Sequence, residues 1–110
     1  MSKLLITTQV YENYAWDEDG NLGTGENAYW KPKGGSDYVV KNIDVNRAQE
    51  IADAATKLVE QAGDAFIETV IGWEVVADDH LTWFEQSQLD YEGKITYGPH
   101  DLTAEIMEAA

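Results

Sequence analysis

"DVNRAQEIADAATKLVEQA", residues 44–62, decides the fold class. Ala48, Ile51, Ala52, Ala55, Leu58, Val59 and Ala62 recur at the spacing of one helical face, so the segment reads as an amphipathic helix. Asp44 can cap its start, Asp53 and Lys57 stand four apart, and Gly63 is a natural stop. Alanine dominates the apolar stripe, which suits a helix lying close on a sheet.

The flanking sequence supplies that sheet. Residues 3–12, "KLLITTQVYE", are β-branched, aromatic and free of breakers. They predict a strand with Leu4, Ile6, Thr8 and Val10 on one face and Leu5, Thr7, Gln9 and Tyr11 on the other. After a loop, "NAYWKPK", residues 27–33, is a strand that Pro32 confines to an edge or a strand end. Gly34-Gly35-Ser36 reads as a turn, and "DYVVKNI", residues 37–43, as the returning strand. Residues 65–77, "AFIETVIGWEVVA", predict a long strand with Ile67, Thr69, Ile71, Trp73 and Val75 on one face. Gly72 within it marks a bulge or a close backbone approach.

Residues 78–97 predict a short helix from Asp78-Asp79 through Gln86, with Thr82 and Glu85 at capping-box spacing. A hairpin in "QLDYEGKITY" would turn at Glu92-Gly93. Pro99 ends it, and "HDLTAEIMEAA" is a terminal helix with Leu102, Ile106 and Ala109 inward. This order predicts an α+β fold: a small mixed or antiparallel sheet packed by one main amphipathic helix, about 44–62, with a shorter C-terminal helix. Its 110 residues leave room for one domain, 1–110.

Charge is the strongest global signal. Seven basic residues face twenty-one acids, a net charge of −14. Residues 1–43 carry net −2 and residues 44–110 net −12, so the field belongs to the C-terminal two-thirds. A surface of that sign repels nucleic acid and anionic membrane and attracts basic protein. Solubility alone needs a net charge of only roughly 2 to 8. The chain has no cysteine, which excludes disulfides and thiolate metal sites. No stretch has the pattern of a signal peptide or the length of a membrane span, so a cytoplasmic protein is expected.

The densest candidate site is "WDEDGNLGTGENAYW", residues 16–30. Counted as a calcium loop from Asp17, it places Asp17, Asp19 and Asn21 correctly. Leu22 then falls where glycine is required, and Ala28 where the bidentate glutamate belongs. Incidental calcium binding through Asp17, Asp19, Asn21 and Glu26 is the reading that survives. Gly20, Gly23 and Gly25 have no helix behind them to present to a phosphate, and neither does "KPKGGS". Tyr11, Tyr14, Trp16, Tyr29 and Trp30 either line a ligand pocket or pack as alternate members into the sheet. At least one of Tyr14, Trp16 and Trp30 is expected in solvent.

Catalytic signals are thin. Ser2, Ser36 and Ser87 lie in no nucleophile context. His80 beside Asp78 and Asp79, with His100 beside Asp101, could form a two-histidine, one-carboxylate metal site; the plain alternative is two surface histidines near helix starts. No cofactor and no catalytic residue is expected.

"TTQVYENYAW" (7–16), "YWKPKGGSDYVV" (29–40) and "QLDYEGKITYGP" (88–99) together resemble a group of small acidic proteins of tailed bacteriophages. The resemblance spans most of the chain and carries no catalytic signature. It implies a host-directed binding protein working in the cytoplasm of an infected cell. The leading expectation is a non-enzymatic inhibitor of a basic host protein, such as a nuclease, restriction or other defence component. Its acidic surface would stand in for DNA, without direct nucleic-acid or membrane binding. Glu50, Asp53, Glu60, Asp64, Glu68, Glu74, Asp78 and Asp79 would carry the contact, with Trp16 and Trp30 framing a second contact loop. Acids three or four apart on a helix approach phosphate spacing, although Lys57 interrupts the row. Two alternatives stand beside it: a small-ligand or metal-binding module built on residues 14–30, and a metal-dependent enzyme using His80 and His100.

Overall fold

Strand β1, Ser2–Asn13, runs through the middle of a five-stranded antiparallel sheet in a computed structural model that describes residues 2–109. On one side it pairs with β2 (Trp30–Gly34) along its second half and with β3 (Asp37–Ile43) along its first half. On the other it pairs with β5 (Phe66–Ala77), which in turn holds the two-residue β4 (Gln61–Ala62). The fold is α+β.

Alternation along β1 sets the layers. Leu4, Ile6 and Thr8 are buried, while Leu5 is half-buried and Thr7 exposed. Helix α1, Ala48–Val59, lies on the Leu4–Ile6 face with Ile51, Ala52, Ala55 and Val59 inward. Val40, Ile43, Leu102 and Ile106 complete this core, the last belonging to α3, Thr103–Ala109. Each large aliphatic side chain buried this way contributes about 1.5–3 kcal/mol. Ala52 and Ala55 are almost wholly buried, so the small residues of the stripe face the close contact. The side chain of Ala109, expected inward, lies outside what the structure describes.

Helix α1 is shorter than its pattern predicts. Asp44 caps a 3₁₀ turn, Val45–Arg47, by accepting the Asn46 N–H at 3.0 Å, and the α-helix begins only at Ala48. It ends at Val59 rather than Gly63, because Glu60 is extended and its carboxylate accepts from Thr69 Oγ1 and the Val70 N–H on β5. Leu58 is exposed and Ala62 sits in β4. Gly63 serves the hairpin into β5 by donating to the Phe66 carbonyl.

The expected β2–β3 hairpin does not form. Both strands run antiparallel to β1 and follow one another along the same side of it, joined by a bend at Gly35-Ser36. The Thr8 N–H donates to the Ser36 carbonyl and the Ser36 N–H to Thr8 Oγ1 across the bend. A Cβ on Gly35 would collide with the Thr8 carbonyl oxygen. The glycine is there for close approach, not reversal.

β5 contains the bulge that Gly72 suggested. Thr7 faces Gly72 and Thr8 faces Val70, so Ile71 is an extra residue. It reverses the pleat, and the single face predicted from Ile67 to Val75 is broken there. Val75 and Val70, of opposite parity, both pack against the α1-side core.

The predicted hairpin at Glu92-Gly93 is instead the end of α2, Trp83–Glu92. Thr82 and Glu85 form the expected capping box, and Gly93, at φ 75°, is the left-handed residue that closes the helix. Gln88 pairs with both backbone groups of Thr96, which returns the chain beside the helix without a strand. α2 meets one end of the second face of the sheet: Leu5, Thr7 and Glu74 share a cavity of about 210 Å³ with Trp83, Phe84 and Tyr97.

Candidate interaction surfaces

The loop after β1 is anchored by one buried side chain. Asn13 donates to the carbonyls of Gly23 (2.6 Å) and Asp64 (2.9 Å), and its oxygen accepts from the N–H groups of Ala15 and Tyr29, both at 3.0 Å. All of its hydrogen-bonding capacity is used, and the residue is buried. Sequence reading missed Asn13 because an asparagine at a strand end looks like ordinary turn chemistry.

Beyond it, Trp16 and Leu22 bridge the two arms of a small turn. Asp17 Oδ1 accepts the N–H groups of Asp19 and Asn21. The carboxylate expected to lead a calcium register is thus engaged with backbone. Among the described residues no three His, Asp or Glu side chains gather in a way that could hold a metal. Tyr14, Trp16 and Tyr29 stand in solvent, and Trp30 is half-buried on β2.

Alongside this loop the β2 edge carries cations. The Lys31 ammonium lies 5.6 Å from the Tyr14 ring centroid and 5.3 Å from that of Tyr29. Lys33 pairs with Glu12 at 3.0 Å and sits over Phe66. A hydrogen bond from Tyr14, and then Lys33, holds the Glu12 carboxyl below its ordinary range.

The acids expected to act together are distributed. Glu50 and Asp53 lie exposed on α1, Glu50 paired with Arg47 and Asp53 accepting from Gln49. Glu60 is bound to β5, and Asp64 is in the β4–β5 turn with its carbonyl on Asn13. Glu68 turns inward, accepting from Thr8 Oγ1 at 2.6 Å and the Tyr38 hydroxyl at 3.0 Å. Glu74 points to the opposite face, toward α2, and Asp78 and Asp79 follow β5 in an exposed turn. The predicted helical row shrinks to Glu50 and Asp53.

One acid is deeply buried. Both Glu85 oxygens accept from Lys3 Nζ at 2.7 Å, and each residue is 4 % exposed. Burial pushes the Glu85 carboxyl up, but hydrogen bonds from Lys3 and Thr82 outweigh it and hold the group below its ordinary value. This pair fastens the start of α2 to the start of β1, 82 residues apart in sequence. Tyr97 is buried beside it. Desolvation first, and then the Glu85 charge, push its hydroxyl up to about 12.

The histidines have separate surroundings. His100 stacks on Tyr38, ring centroids 4.6 Å apart, with Nδ1 at 3.1 Å from the Asp37 carbonyl. His80 is exposed in the turn after β5, where its N–H donates to the Ala77 carbonyl.

Exposed acids and aromatics thus lie along and after β5, and a lysine-bearing edge with an anchored loop lies at β2. No helix among the described residues is long and apolar enough to cross a membrane. Comparison of the chain with protein-family models, curated proteins and solved structures finds no match.

Proposed function

We propose that this chain is a non-enzymatic binding protein whose acidic C-terminal two-thirds engages a basic partner protein. The observation that carries the reading is the charge around β5. Residues 58–93 contain nine Asp or Glu and no Lys or Arg. Within that stretch Asp64, Glu74, Asp78 and Asp79 are exposed, and so are the side chains of Ile71, Trp73 and Trp83. Aromatic anchors bordered by one sign of charge suit a protein interface in which complementary charge speeds encounter and selects the partner. The resemblance to small acidic phage proteins makes the partner a nucleic-acid-binding or defence protein of a bacterial host, inhibited by occupation of its basic groove.

Capture from host lysate on the immobilised chain, followed by a salt series, tests this. The expected result is a basic protein whose retention falls steeply as salt rises through the range where the screening length drops from about 30 Å to about 10 Å. Capture that is indifferent to salt, or of no basic protein, overturns it.

A further inference from the structure

The sheet leaves part of β5 without a neighbour. β4 pairs with β5 only at Ile67 and Glu68, so beyond them β5 has β1 on one side and, among the described residues, no strand on the other. Alternation tells which backbone groups face out. The Thr8 N–H bonds the Ser36 carbonyl on the β3 side, so the amides of Lys3, Leu5 and Thr7 face β5, and their partners Val76, Glu74 and Gly72 face back. The backbone N–H and C=O groups of Trp73 and Val75 are then directed away from the sheet. The Val70 N–H points the same way and is taken by the Glu60 carboxylate at 3.0 Å.

Open strand edges are normally blunted by lysine, proline, bulges or a covering element. Here the Ile71 bulge and the Glu60 cap guard only the near end of the open stretch. From Trp73 to Ala77 the strand carries no lysine and no proline. Trp73 is 39 % exposed and lies with Val75 on the α1 face, while Glu74 lies on the α2 face.

Charge selects among occupants. A second copy added antiparallel about a two-fold at Val75, the middle of the open stretch, would set the two Glu74 side chains diagonally across the seam on the same face. Like charges in that position destabilise a ladder, and each copy carries net −14. A basic segment meets the same strand with attraction.

We propose that the open edge of β5, residues 73–77, receives an extended segment of a partner protein as an added strand, in which basic residues alternate with apolar ones. The basic side chains face Glu74, and the apolar ones cover Trp73 and Val75. Backbone hydrogen bonds supply affinity, and the alternation supplies selection. This rests on the reading of the chain as a binder of basic proteins and names the mode of binding.

The test titrates the isotope-labelled full chain, at low salt, with a short peptide of alternating Lys and Val. A second titration uses the same peptide N-methylated at alternate amides, which keeps charge and removes strand pairing. The first peptide should slow amide exchange at Trp73 and Val75 by roughly tenfold or more, a factor equivalent to about 1.4 kcal/mol. The methylated peptide should lose that protection, and Glu74→Lys should weaken binding about tenfold. Equal binding of both peptides, with changes centred on Glu50 and Asp53, overturns strand addition while leaving a basic partner in place. Protection of the same amides by self-association without peptide assigns the edge to a second copy and overturns the proposal. Failure of both peptides also overturns it, whereas the reading beneath it stands or falls separately on the salt-dependent capture.

Discussion

At one edge of the sheet, β2 presents Lys31, Pro32 and Lys33, two of them over aromatic rings, and ends in a bend that Gly35 permits. At the other, β5 presents Trp73 and Glu74 with no cation from residue 58 to residue 93. Both strands pair with β1, so the difference is not one of topology. It is one of side-chain chemistry: the first edge carries the groups that discourage further pairing, and the second carries groups that invite a basic strand. A single chain can thus keep one side closed and the other available.

The largest expected effect lies at the closed edge. Gly35→Ala places a methyl against the Thr8 carbonyl, and the joint between β2 and β3 has to move. A loss of about 4 kcal/mol or more is expected in urea unfolding, the range of a mutation that forces backbone. A loss below about 1 kcal/mol would mean that the bend does not depend on close approach.

On the β5 side the comparable break is Lys3→Met, which leaves the Glu85 carboxylate buried and unpaired, at a cost of about 3–5 kcal/mol. Adding Glu85→Leu should recover most of the loss. The sign with pH follows from the lowered carboxyl. Its contribution is fully present above the ordinary glutamate range and disappears as pH falls through the folded-state value. Wild type should therefore lose stability on acidification more steeply than the double variant. Parallel acid limbs would remove the pair from the account of α2.

Asn13→Ala strands the N–H groups of Ala15 and Tyr29 without their acceptor. About 2 kcal/mol should be lost, in line with two part-buried donors left wanting, and protease cleavage within residues 16–28 should quicken. Unchanged cleavage would show that the loop beside the closed edge is held by something other than Asn13.

Tyr97, under α2, provides a smaller effect at alkaline pH. Its folded-state value of about 12 lies above the ordinary tyrosine value, so its contribution is whole below about pH 10 and is lost as pH rises toward 12. At pH 11 roughly 1.4 kcal/mol of stability should have gone, and Tyr97→Phe should remove that slope. The smallest effect belongs to Lys33→Val, which removes an ion pair that solvent screens. Stability should barely move, while sedimentation should reveal new self-association if the lysines are what keep this edge closed.

Several elements were legible because their signals are local. The period of α1, the alternation of β1, the Asp44 cap, the Thr82–Glu85 capping box and the edge position of Pro32 each depend on residues a few places apart. The exposure of Tyr14 and Trp16 follows the same rule, since aromatics in excess of one alternating face have to go outside. α2 was misread beyond its cap because its aromatic and polar residues form no single stripe, and Gly93 serves a helix end as well as a hairpin. The β5 faces were misread because one extra residue, Ile71, reverses every side chain that follows.

The candidate surface was less legible than the fold. A list of acids does not distinguish Glu74 in solvent from Glu68 folded under Thr8 and Tyr38, or from Glu85 locked to Lys3. Pattern alone settles the α+β class, the net charge of −14, its concentration after residue 43 and the main helix, since these are sums or short-range periods along the chain. Which acids remain on the surface, where the bulge falls against β1, and which stretch of backbone is left without a neighbour are set by contacts between residues far apart. Those are fixed only when the strands find their register and the two helical layers close over the sheet.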